Sequence, residues 1–212
     1  YYLVIGTAAS LLVLGLIMVL SASSVTSYTS SGSSFTIASR QALWIVIGLP
    51  VLFVGARMPS RAYRMLAYPL LVISIVLLLA VLVPGVGQNV SGATRWIPLP
   101  GGMQLQPSEP AKLALVLWGA DLLDRKERRL GEAKHLLVPL VPLALLMALL
   151  VMAEPDMGTT IVLMVIVMAL LFTAGAPMLL FARLGIGLGG LGGLLAVTEP
   201  YRLQRLVGFR DP

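Results

Sequence analysis

Cysteine is absent from all 212 residues, histidine occurs once, and charged side chains make up only 11% of the chain. Without cysteine there is no disulfide, no thiolate nucleophile and no Cys-based zinc or iron–sulfur centre. The single His135 adjoins Lys134 where a loop meets a helix, a place for a solvated polar residue rather than a ligand or base. The shortage of charge is the more decisive lack, because soluble domains carry about 25% charged residues. With 58% of residues hydrophobic, the chain has more apolar sequence than a water-soluble core absorbs.

What is present instead is a series of long apolar runs broken by short polar segments. Runs of about 20 residues suit a hydrocarbon layer about 30 Å thick. They fall near 2–20, 41–56, 65–84, 109–123, 136–153, 158–174 and 178–197, which predicts an all-α, polytopic transmembrane helical bundle. Lys112 and Asp121 interrupt the fourth run. The glycines of 185–193 suit close helix packing in the seventh, and no strand precedes them to make a dinucleotide loop. The chain begins at Tyr1 with no charged n-region, so residues 1–20 read as a membrane helix already under way, and 1–212 as a piece of one longer membrane domain.

Basic residues give this bundle a direction. Alternate loops hold Arg57, Arg61, Arg64, Arg125, Lys126, Arg128, Arg129, Lys134 and Arg183 on one side, against Arg40, Arg95, Arg202, Arg205 and Arg210 on the other. The positive-inside rule makes the first side cytoplasmic and puts the N-terminus inside. The net charge of +6 is then a topology signal, and nothing in its pattern suggests a nucleic-acid partner. The outer segments are a Ser/Thr-rich stretch at 21–40 with Arg40 at the mouth of the second span, a long Gly/Pro loop at 85–108, a short turn at 154–157, and 198–212.

Four charged groups lie at or inside the outer edge, where an ionised side chain is costly and therefore usually paired or functional: Arg95, Glu109, Lys112 and Asp156. In Gln106-Pro-Ser-Glu-Pro-Ala-Lys112, Ser108 suits an N-cap and Pro110 a first helical turn. Glu109 and Lys112 then share a helix face, either as a structural ion pair or as the lining of a polar cavity. Asp156 is placed to cap the sixth helix through the N–H of Gly158 or Thr159. Alternatively its carboxylate faces a cavity that also holds Arg95 and Lys112, and coordinates a divalent cation or holds a diphosphate-bound metal. Trp96 and Arg95 suit an interfacial anchor, but Arg also suits bidentate contacts to phosphate. An outward set of Arg, Lys and carboxylates points to an anionic, phosphorylated ligand.

The runs Gly87-Gln-Asn-Val-Ser-Gly-Ala-Thr-Arg-Trp-Ile97 and Gln104-Leu-Gln-Pro-Ser-Glu-Pro-Ala-Lys-Leu-Ala114 resemble the signature of the SEDS family (shape, elongation, division and sporulation), typified by FtsW and RodA. Met18-Val-Leu-Ser-Ala-Ser-Ser24, Glu154-Pro-Asp-Met-Gly-Thr159 and Pro200-Tyr-Arg-Leu-Gln-Arg205 agree with it in order and spacing. The last of these, followed by Phe209-Arg-Asp-Pro212, looks more like the division member FtsW. The resemblance implies about ten membrane helices, of which seven are here, in the bacterial cytoplasmic membrane. It implies a peptidoglycan glycosyltransferase that polymerises lipid II on the extracytoplasmic face, with a class B penicillin-binding protein and other divisome proteins as partners. It also implies supporting catalytic roles for Asp156, Lys112 and Glu109, and substrate contacts from Arg40, Arg95, Trp96, Gln106, Ser108 and Thr159. A divalent cation, Mg²⁺ or Mn²⁺, is a further expectation, and the base is expected to be an Asp beyond residue 212, not Asp211. A lipid II flippase and a membrane scaffold are the competing readings.

Overall fold

The computed structural model describes residues 2–31, 33, 35–90, 93–100, 103–126 and 133–197. Among them are seven α-helices: α1 (Tyr2–Ser31), α2 (Thr36–Arg57), α3 (Ser60–Val81), α4 (Ser108–Arg125), α5 (Ala133–Ala153), α6 (Met157–Thr173) and α7 (Met178–Val197). Tyr2–Ser24, Thr36–Arg57 and Ser60–Val81 are long and apolar enough to cross a membrane by themselves, while Val138–Ala153 and Met157–Thr173 are shorter apolar helices. The helices match the apolar runs closely except at their ends. α1 continues through the serines to Ser31, carrying helix into the segment expected to be an outer connection.

The helices form two compact units, residues 1–59 and 60–212. In the first, α1 packs along α2, and large apolar side chains such as Leu3, Leu11, Val46 and Leu52 stay exposed. Such surfaces suit a bilayer, where lipid tails are as apolar as leucine and association relies on packing. In the second unit, α4 sits among α3, α5 and α6. Its buried face is Ala111, Ala114, Leu115 and Trp118, against Leu71 and Leu78 of α3, Leu140 and Met147 of α5, and Leu163 and Leu171 of α6. Alanine and glycine allow the close approach: a Cβ at Gly119 would lie 2.6 Å from a methyl of Leu170 and 3.2 Å from one of Leu140. In α7, Gly185 approaches Met168, whereas among the described residues nothing lies against Gly187 or Gly190.

The segment read as a long loop holds a three-stranded antiparallel sheet: β1 (Gln88–Val90), β2 (Ala93–Leu99) and β3 (Met103–Leu105), in that spatial order. Ile97 pairs with Leu105 and Trp96 with Gln88, and Gln104 Nε2 donates to Gln88 Oε1 at 3.0 Å across the middle strand. The sheet joins the end of α3 to the start of α4, and so lies at the end of this unit where α5 passes into α6.

Candidate functional site

Asp156 organises the polar end of the second unit. It is the N-cap of α6, its Oδ1 accepting from the Thr159 backbone N–H at 3.2 Å and its Oδ2 from the Thr159 hydroxyl at 2.8 Å. The same Oδ2 accepts from Gln106 Nε2 at 3.4 Å and lies 3.6 Å from Arg95 Nη1. One nearly buried carboxylate thus ties a helix start to β2 and to the residues leading into α4. Of the two alternatives that the sequence leaves for Asp156, the cap is present, and Oδ2 is engaged by Thr159, Gln106 and Arg95.

Arg95 reaches this carboxylate from β2 with about a quarter of its side chain exposed, and its Nε is buried without a hydrogen-bond partner. Trp96 follows it on the strand, where the pairing of β2 with β1 shifts register and passes over Arg95. On α4, Lys112 Nζ lies 2.9 Å from Glu109 Oε1, the ion pair expected from their three-residue spacing. Ser108 departs from expectation. The N-cap position of α4 is held by Pro107 without a side-chain cap, and Ser108 is the first helical residue, its hydroxyl buried and unpartnered. Proline at 107 sets a helical φ of −57°, which starts the helix one residue earlier than a serine cap requires. Arg40 lies on the first turns of α2, in the other compact unit. Residues 198–212, with the Pro200–Arg205 segment and Asp211, and the side chain of His135, lie outside what is described.

The residue missing from the expected set is Glu154. It lies in the turn that follows α5, two residues before Asp156, is fully buried, and neither of its oxygens has a hydrogen-bond partner. Burial foremost, and then the charge of Asp156, push this carboxyl up to about 8, with Arg95 pulling the other way. Its signal in the sequence was an acid two residues before Asp156 between two apolar helices. At the opposite end, buried Asp121 receives Arg125 Nε at 2.9 Å and lies 3.9 Å from Arg64, which also meets Asp124 at 2.8 Å. That cluster clamps α3 to α4.

A resident divalent cation does not fit Asp156. Both of its oxygens already accept hydrogen bonds, a guanidinium occupies the flank a cation would take, and no group of three His, Cys, Asp or Glu residues converges among the described residues. What the arrangement offers is two cations, Arg95 and Lys112, each partly exposed and each balanced by one carboxylate. An anionic ligand would compete with those carboxylates for the cations.

Residues 1–212 match in full the family described as cell cycle protein, FtsW/RodA/SpoVE. The chain belongs to this family. Its FtsW/RodA/SpoVE relatives include proteins named "probable peptidoglycan glycosyltransferase FtsW" from Mycobacterium tuberculosis, 39% identical over the whole chain and 40% of the relative, and from Alcanivorax borkumensis, 41% identical over 97% of the chain and 54% of the relative. Among solved structures, the crystal structure of the Thermus thermophilus rod shape determining protein RodA superposes with a TM-score of 0.65 at 30% identity, covering 86% of this chain and 58% of that one. A structure titled for the coordination of polymerization and crosslinking by a peptidoglycan synthase complex gives 0.66 at 30% identity, over 94% and 59%. The chain is a multi-pass membrane protein of this family and spans about half the length of the curated relatives it matches.

Proposed function

We propose that this chain forms part of a peptidoglycan glycosyltransferase that polymerises lipid II at the outer face of the bacterial inner membrane during cell division, beside a class B penicillin-binding protein and other divisome proteins. The observation that carries the reading is the Arg95–Asp156 ion pair, built from a strand and a helix cap at one end of an apolar bundle, in a chain matching this family end to end. Charge placed at such depth is expensive unless it has work to do.

Glycosyl transfer from a lipid diphosphate requires a base for the attacking sugar hydroxyl and stabilisation of the departing diphosphate. Arg95 supplies a planar donor set suited to phosphate oxygens, and Lys112 a point charge. Glu109 holds Lys112 in place, while Asp156, fixed by Thr159 and Gln106, orients Arg95. Trp96 completes the proposed substrate contacts of this unit, and Ser108, whose hydroxyl is fully buried, is not among them. The base comes from another part of the whole protein, since Asp156 and Glu109 are already engaged. Mg²⁺ or Mn²⁺ would enter on the diphosphate rather than as a resident ion of Asp156.

The test is polymerisation of labelled lipid II by the full-length protein reconstituted with its transpeptidase partner. Lys112→Ala and Asp156→Ala each reduce glycan product at least tenfold while expression and membrane insertion persist. Undiminished polymer from both variants overturns the assignment of the site. Movement of lipid II across the bilayer without any polymer favours the flippase reading instead.

A further inference from the structure

Glu154 is a buried acid that the proposed chemistry does not use. It sits in the turn between α5 and α6, outside the helices themselves, with no solvent exposure and no donor to either carboxyl oxygen. Arg95 Nε is buried and unpartnered as well. An ionised carboxylate buried without a donor is costly, and a second negative charge beside Asp156 adds to that cost.

Of the charges around the turn, Arg95 offsets part of this cost and Asp156 adds to it, and burial outweighs both. Arg95 on β2 and Asp156 at the start of α6 are the groups whose fields reach Glu154. Glu109 and Lys112, at the start of α4, are bound to each other. The charged residues of α3 are Arg61 and Arg64, those of α5 are Lys134 and His135, and α7 has Arg183; all belong to the first turns of their helices, at the opposite end of this unit.

We propose that Glu154 is a positioning residue held as a neutral acid, and that its neutrality leaves the Arg95–Asp156 pair without net charge, so that the site admits an anionic diphosphate ligand. Ionised, the same three residues carry a net negative charge, and Arg95 is shared between two carboxylates instead of being available to phosphate oxygens. The inference rests on the lipid-diphosphate reading of the site. A carboxyl that titrates near pH 8 makes ligand binding sensitive to mildly alkaline conditions.

Two measurements on the full-length protein decide it. With labelled lipid II, KM of the unmodified enzyme rises about tenfold between pH 7 and pH 9, as the fraction with the neutral acid falls, while kcat changes little. Glu154→Gln, which fixes the neutral form, restores a flat KM across that range. A variant as pH-sensitive as the parent, or one that inserts normally yet makes no polymer, overturns the inference. The second measurement is independent of activity. A group whose pKa is raised in the folded state contributes stability below its unfolded value, 4.5, and loses it as pH rises toward 8. The melting temperature of Glu154→Gln relative to the parent therefore climbs between pH 5 and pH 8 and then levels. A constant difference overturns the neutral acid. If the parent makes no polymer at any pH, the glycosyltransferase reading fails, and the thermal comparison alone decides whether Glu154 is neutral.

Discussion

At the scale of the residue, Asp156 carries two separable roles on one carboxylate. Oδ1 caps α6, a contribution of about 1 kcal/mol, whereas Oδ2 gathers Thr159, Gln106 and Arg95. Asn is as good an N-cap as Asp but brings no charge to Arg95. Asp156→Asn should therefore leave the melting temperature of the full-length protein within a few degrees of the parent, yet lower polymerisation of lipid II about as far as Asp156→Ala. If Asn keeps full activity, the carboxylate acts through the cap alone, and the ion pair has no part in the reaction.

The same residue shows what could be read in advance. An Asp three positions before a Thr at the start of an apolar run marks a cap, and Thr159 takes that place. The Arg95 contact was not derivable from spacing, because it joins positions 61 residues apart along the chain through the sheet. Ser108 shows the converse. Serine before an apolar run is a strong local signal for an N-cap, but the preceding Pro107 already has a helical φ, and the helix starts there instead.

At the scale of the element, the helices were legible because hydrocarbon imposes a length and a composition on each crossing. The sheet was not. Its central strand, Ala93–Leu99, holds Thr, Arg, Trp and Pro with no apolar alternation, and its flanks are glycine-rich, so the composition reads as loop. What fixes the sheet against α3 is a close backbone approach. A Cβ on Gly87 would fall against the Val81 carbonyl oxygen and 2.5 Å from Thr94 Cγ2, and neither the helix end nor the strand can easily move away. Gly87→Ala is accordingly expected to destabilise the full-length protein by about 2 kcal/mol or more, in the range of overpacked buried sites. It should also weaken substrate turnover, since β2 carries Arg95. A thermal-shift measurement in detergent, paired with the lipid II assay, checks both effects. An unshifted melting temperature would mean that the start of the sheet is free to adjust and does not brace Arg95.

At the scale of the whole molecule, the reading depends on which end of the bundle faces outward. The ends differ in their chemistry. In the second unit, one end holds the sheet, Asp156 and the Glu109–Lys112 pair; the other holds the Asp121 cluster with Arg61 and Arg64. If basic residues are retained on the cytoplasmic side by the membrane potential and the anionic inner leaflet, the second end faces inside. A lipid-linked substrate polymerised outside the cell requires the first end to face outward. Because residues 1–212 contain no cysteine, a single one can be introduced at either end without background from this region. Gln104 and Ser60 are both exposed, the former on β3 and the latter at the start of α3. Gln104→Cys should react with a membrane-impermeant maleimide in intact spheroplasts. Ser60→Cys should react only after the membrane is opened. The reverse pattern would put the Arg95–Asp156 site on the cytoplasmic face, where it could not meet an extracytoplasmic acceptor strand, and would exclude polymerisation at this site.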